Sequence, residues 1–170
     1  MKETKLCLLA ADLAGFARAC SNLDALTIAQ FLDHWYRQCA PLIVARGGRI
    51  VKFMGDGLLA VFPEEAVLAA VDAATVLRAA LAELRTETQW RVDLGANVHI
   101  AIVAEGEFGP DDDRRYDIFG SGVNHLFLMG GGPGLRISEP VYRQLPNEAR
   151  DAWNKQRPPA TYTFDDRRSC

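Results

Sequence analysis

The chain of 170 residues predicts an α+β fold, a ferredoxin-like βαββαβ core with a C-terminal extension. Three observations carry that expectation. A short, continuous apolar run stops at a carboxylate, Asp12. Two stretches with apolar residues at helical spacing follow it. Between these stretches lie two β-rich runs joined through Gly55-Asp56-Gly57. Because a domain averages roughly 150 residues, residues 1–170 are expected to form one folding unit.

Lys5 to Asp12 (KLCLLAAD) reads as a central strand buried on both faces, with its last residue at the end of the sheet. After a turn at Gly15, the spacing of Leu23, Leu26, Phe31, Trp35, Cys39 and Leu42 predicts a long amphipathic helix that Gly47-Gly48 ends. Arg49 to Phe62 then reads as a hairpin with Asp56 at its tip. Pro63-Glu64-Glu65 supplies a rigid acidic first turn. Beyond it Val67, Val71, Ala74, Leu77, Leu81 and Leu84 carry a second helical stripe closed by Arg85. Val92 to Ala104 completes the core as a strand, so that two helices cover one face of an antiparallel sheet.

The remainder is more broken. It holds an acidic loop at Pro110 to Asp113, a short strand at Tyr116 to Phe119, and a helical start after Gly120. A glycine-rich break from Gly130 to Gly134 precedes the strand LRIS and a short helix from Glu139. A last strand is expected at Thr161 to Phe164, with Asp165 to Cys170 fraying.

Composition narrows the function classes. Apolar residues make up 49% and charged residues 24%, enough for a core and against wholesale disorder. The net charge of −3 offers no basic footprint, so no nucleic-acid partner is expected. Runs such as Leu6 to Ala11 fall far short of the ~20 apolar residues of a spanning helix, so no membrane partner is expected either. Cys7, Cys20, Cys39 and Cys170 form no CxxC pair, and His34, His99 and His125 stand apart. This fits reduced thiols in a cytoplasmic protein and gives no zinc spacing. Neither GxxxxGK[ST] nor GxGxxG occurs in a nucleotide-binding setting.

Asp12 and Asp56 become neighbours if the hairpin pairs beside the first strand. Two convergent carboxylates suit Mg²⁺ held together with substrate phosphates. Taken alone, an Asp in a GDG turn is ordinary hairpin punctuation, and an Asp after a strand is often a cap.

The order of the pieces adds to this. AADLAGF, IVKFMGDGLLAVF, VHIAIVAEGEFG, YDIFGSGVN and LRISEPVY resemble, in sequence order, the class III nucleotidyl cyclase catalytic domain of adenylyl and guanylyl cyclases, over roughly residues 5 to 165. The resemblance implies that Asp12 and Asp56 hold two Mg²⁺ or Mn²⁺ ions per site, with help from the Leu13 backbone. It implies that Lys52 and Asp117 read the base of ATP, that Asn124 orients the ribose, and that Lys155 or its rival Arg157 takes the triphosphate. It also implies a head-to-tail homodimer, in which one chain's metal pair faces the other's base readers, and conversion of ATP to 3′,5′-cyclic AMP and pyrophosphate. An adenine amine matched to a carboxylate and a ring nitrogen matched to a lysine are consistent with that assignment.

One position departs from the pattern. The family carries Asn-x-x-x-Arg on one helix face, and here the fourth residue after Asn124 is Leu128. His125 and Arg136 are the candidates for a substitute cation. Two alternatives stay open: a cyclase using GTP or a pyrimidine triphosphate, and a degenerate homologue acting as a nucleotide-binding or dimerisation module. In the GG[DE]EF position of diguanylate cyclases the chain has Met54-Gly55-Asp56-Gly57.

Overall fold

A computed structural model describes residues 1–88, 90–156 and 160–166. Strand β1 (Lys2–Ala14) is followed by the short helix α1 (Phe16–Cys20) and the long helix α2 (Ala25–Val44). The hairpin β2 (Arg49–Met54) and β3 (Gly57–Pro63) leads to α3 (Val67–Thr88) and β4 (Asp93–Phe108). Then come β5 (Arg115–Phe119), α4 (Ser121–Leu128), β6 (Gly134–Ser138), α5 (Glu139–Gln144), α6 (Asn147–Arg150), β7 (Trp153–Gln156) and β8 (Thr161–Phe164).

These strands form one sheet in the order β2-β3-β1-β4-β6-β8-β7, with β5 folding back as an arm on β4. The first four positions are those of the expected βαββαβ core, and the extension continues past β4. Strand β1 is antiparallel to both neighbours, its register with β4 running from Lys2↔Glu105 to Ala14↔Asp93.

Period-2 alternation along β1 sorts its side chains between two cores. Cys7, Leu9, Ala11 and Leu13 pack into the layer made by α2 and α3, together with Phe31, Trp35, Leu77 and Leu81. Leu8 and Ala10 face the other way, into a smaller cluster with Leu59, Val103, Leu126 and Met129. The same alternation carries Asp12 onto this second face, the one that α4 covers.

Helix α2 begins at Asp24, whose side chain accepts from the Thr27 N–H at 3.0 Å. It ends where Gly47 takes φ +76° and the Gly48 N–H donates to the Ile43 carbonyl at 3.0 Å. Its buried stripe is Phe31, Trp35, Cys39 and Ile43. Leu23 and Leu26, expected to belong to it, are exposed; Leu23 precedes the helix, which starts at Ala25. Helix α1, α6 and β7 were not anticipated. Phe16 of α1 stacks on Trp90, which also stacks on Phe31 at a ring separation of 3.9 Å.

The β2–β3 hairpin carries a bulge between Ile50 and Lys52. Ile50 pairs with Ala60 on the helical-layer side, and without the extra residue Lys52 would share that side. With it, Lys52 pairs with Leu59 and turns to the α4 face. No helix among the described residues is long and apolar enough to cross a membrane.

His99 of β4 pairs with Leu8, and its ring lies 4.8 Å from that of His125 on α4. Its Nδ1 is buried without a partner. Burial first, and His125 second, push its pKa down to about 4. The unfolded chain takes up this proton near 6.5, so stability is lost as pH falls through the window from 6.5 to about 4. His99→Gln is therefore expected to flatten the acid limb of a urea-unfolding series between pH 7 and pH 4. An acid limb as steep as that of the native chain would contradict this placement of His99.

Candidate active site

Asp12 leaves β1 at its open end, and Asp56 occupies the turn of the hairpin beside it. Gly55 takes φ +59° in that turn, a conformation with little cost for glycine. The register of β1 with β3, which pairs Ala11 with Leu58, sets the hairpin tip against the end of β1. The Asp56 carboxylate then accepts from the Leu13 N–H at 3.3 Å. From α2, Tyr36 donates its hydroxyl to the Gly55 carbonyl and stacks on Phe53 with ring centroids 4.1 Å apart, bracing the turn from outside.

The two carboxylates line one cleft of about 360 Å³ with Asn97, Phe127, Gly130 and Gly131. Space for Asp12 exists because residue 95 is glycine: a Cβ there would sit 2.6 Å from Asp12 Oδ1 and 2.5 Å from the Gly132 carbonyl oxygen. Burial holds the Asp12 carboxyl above the ordinary range. Asp56 adds to the rise by like-charge repulsion, and Arg136 opposes it. This is an electron-rich cleft that an added positive charge would relieve.

Lys52 and Asp117 are brought together, Nζ donating to Oδ2 at 2.7 Å. Asp117 also accepts from the Ile118 N–H at 2.8 Å. Asn124 lies on the exposed side of α4, and Leu128, one turn on, is 77% exposed. Lys155 lies on β7. Its ammonium is 3.9 Å from Glu139 and 5.5 Å from the centre of the Tyr162 ring. Arg157 lies outside the described residues.

Of the two candidate substitute cations, His125 turns its ring to His99. Arg136 binds the glycine-rich segment of its own chain. Its guanidinium donates to the carbonyls of Gly131 at 2.7 Å, Pro133 at 3.2 Å, and Gly132 and Gly134 at 3.3 Å. Tyr36 and Asn97 were not singled out from sequence. Asn97 had a signal, being a polar residue inside the apolar run of β4; Tyr36 had none, because its partner is a backbone carbonyl far along the chain.

The adenylate and guanylate cyclase catalytic domain matches residues 1–152. Over 124 residues the chain is 32% identical to an adenylate cyclase of Streptomyces coelicolor, a match covering 73% of this chain and 29% of that protein. The chain thus spans less than a third of that relative's length. In fold it resembles the adenylyl cyclase CyaB from P. aeruginosa, with a TM-score of 0.85 at 21% identity over 99% of this chain and 97% of that one. It also resembles the guanylyl cyclase Cya2, with a TM-score of 0.83 at 19% identity over 96% and 92%. With its core strand order and the convergence of Asp12 and Asp56, the chain belongs to the adenylate and guanylate cyclase catalytic-domain family.

Proposed function

We propose that this domain cyclises a nucleoside triphosphate, ATP by preference, to 3′,5′-cyclic AMP with release of pyrophosphate. The observation that carries the reading is the meeting of Asp12 and Asp56 in one cleft. Both offer hard oxygen donors, and among the described residues no third His, Cys, Asp or Glu completes a cluster with them. A site of this kind suits Mg²⁺ or Mn²⁺, which leave coordination positions for water and phosphate oxygens. Asp12 and Asp56 would hold the ions, two per site, and the chemistry supplied there is neutralisation of charge on the phosphates.

The chain's own groups do the rest. Lys52 and Asp117 exchange their mutual contact for adenine, the ammonium donating to a ring nitrogen and the carboxylate accepting from the exocyclic amine. Asn124 orients the ribose so that its 3′ hydroxyl attacks the α-phosphorus in line with the departing pyrophosphate. Lys155 supports the triphosphate, and the Glu139 carboxylate nearby holds it in place.

Two chains assemble head to tail, each giving its acidic pair to one pocket and its base readers to the other. The exposed apolar side chains of Ile102, Phe119, Phe127 and Leu128, on β4, β5 and α4, support this assembly.

One observation favours a second reading, a nucleotide-binding or dimerisation module without turnover: Leu128 stands where the family's arginine is expected. Incubation with Mn²⁺ and each of the four nucleoside triphosphates separates the two. The enzyme reading expects pyrophosphate and a cyclic product from ATP, and Asp56→Ala to cut the rate by on the order of 100-fold or more. No pyrophosphate from any of the four would favour the module. Leu128→Arg is expected to raise kcat by on the order of 10- to 100-fold, because it restores a donor to developing phosphate charge. An unchanged or lower kcat would count against that role for the position. Asp12→Asn, which removes a partly desolvated charge facing Asp56, is expected to abolish turnover yet raise the metal-free Tm at pH 7. That gain should vanish once acid protonates the native carboxylate. A Tm lower than the native chain's at pH 7 would show that Asp12 is not under electrostatic stress.

A further inference from the structure

Helix α4 stops at Leu128, and the chain returns to the sheet through Gly130, Gly131, Gly132, Pro133 and Gly134. Two side chains on adjacent strands hold this return. Asn97 and Arg136 are register partners of the parallel pair β4 and β6. Asn97 Nδ2 donates to the carbonyls of Leu126 and Gly130, both at 3.0 Å. Arg136 takes the carbonyls of the four residues that follow. Carbonyls at a helix end ordinarily need such partners, and here two sheet residues supply them.

This grip dictates where the amides point. In a trans peptide the C=O of one residue and the N–H of the next are antiparallel. With the Gly130 carbonyl on Asn97 and the Gly131 carbonyl on Arg136, the N–H groups of Gly131 and Gly132 face away from both side chains. No acceptor among the described residues takes either N–H. Gly132 has φ +76°, and a Cβ at Gly131 or Gly132 would meet nothing within 4 Å, so open space lies beside them. Successive amides in such a turn form an anion-binding concavity. Gly130 and Gly131 line the same cleft as Asp12 and Asp56.

The side chain that holds the return lies in the wall of that cleft. Asn97 is 8% exposed and lines it, and its Oδ1 is buried with no partner. Its Nδ2 bonds to the Leu126 and Gly130 carbonyls identify the orphan atom as an acceptor, so the side chain acts on the return through its amide nitrogen.

Resting on the nucleotide-cyclase reading above, the geometry points to Gly131 and Gly132 as a backbone phosphate subsite for the polyphosphate of the substrate, with Asn97 and Arg136 as its positioning residues. The subsite supplies, from the same chain as the acidic pair, phosphate stabilisation that Leu128 cannot give. Its donors are uncharged amides backed by the Arg136 guanidinium, so they oppose phosphate charge without a side chain entering the cleft.

Paired substitutions at one position isolate the donor. Gly131→Pro deletes the N–H and Gly131→Ala keeps it, and φ at this position is not left-handed. Binding of α,β-methylene-ATP with Mn²⁺ is measured by calorimetry, alongside pyrophosphate release from ATP and thermal melting. The expected result is analogue affinity at least about tenfold weaker for the proline variant than for the alanine variant. Pyrophosphate release is expected to be lower by on the order of 100-fold, and Mn²⁺ binding in the absence of nucleotide equal between the two. Equal analogue affinity in the two variants, or no analogue binding by the native chain, overturns the subsite. Should the proline variant fail to fold, Arg136→Met and Arg136→Lys decide: the methionine variant is expected to bind the analogue more weakly, with partial recovery by lysine. Equal affinity in all three overturns the proposal. The two readings fail separately. Analogue binding that depends on the Gly131 N–H without any pyrophosphate release would sink the cyclase reading and leave the subsite. Cyclisation indifferent to proline at 131 would do the reverse.

Discussion

Two carboxylates that repel each other are held together near the end of a strand whose central residues, Cys7 to Ala11, are buried on both sides. The strand β1 is what makes this tolerable. Its thirteen-residue pairing with β4 and its pairing with β3 on the other edge fix where Asp12 emerges and where the hairpin tip must lie. Leu8, Leu9 and Leu13 are all but inaccessible to solvent, so a shift of one residue would exchange the two faces and place Asp12 in the helical layer. Apolar burial on either side thus sets the register, and the register sets the electrostatics.

The tension at the carboxylates is an asset for the activity proposed. Asp12, held above the ordinary carboxylate range by desolvation and by the like charge of Asp56, gains most from a divalent ion, and a group optimised for stability alone would not be placed there. The surroundings reinforce the arrangement without neutralising it. Tyr36 and Phe53 brace the hairpin tip, the Leu13 amide satisfies one oxygen of Asp56, and Gly95 leaves room beside Asp12. Arg136 is close enough to temper Asp12, but its donors are committed to the glycine-rich return.

The core was legible because its signals are local and periodic: the buried run of β1, the stripes of α2 and α3, and the Gly55-Asp56-Gly57 turn. The meeting of Asp12 with Asp56 followed from strand order, and the shared role of Lys52 and Asp117 from the family pattern. What escaped depends on contacts distant in the chain. Lys52 reaches Asp117 only because a bulge after Ile50 changes the face it points to, and no residue type there announces a bulge. The five-residue α1 is too short to carry a period and leans on Trp90 through Phe16. Strand β7 is four residues long, lies at the sheet edge and has no alternating pattern to announce it. Leu26 fits a helical stripe on paper, yet it is exposed in the first turn of α2. The glycine-rich return looked like a break; its order comes from Asn97 and Arg136, two side chains from neighbouring strands.

The central claim is that Asp12 and Asp56 jointly hold the ions that grip the nucleotide. Anomalous scattering from Mn²⁺ in crystals grown with a non-cyclisable ATP analogue tests it most directly. The account predicts manganese peaks between the two carboxylates, in contact with analogue phosphates. Manganese bound elsewhere, or a bound analogue with no manganese at this pair, would contradict it.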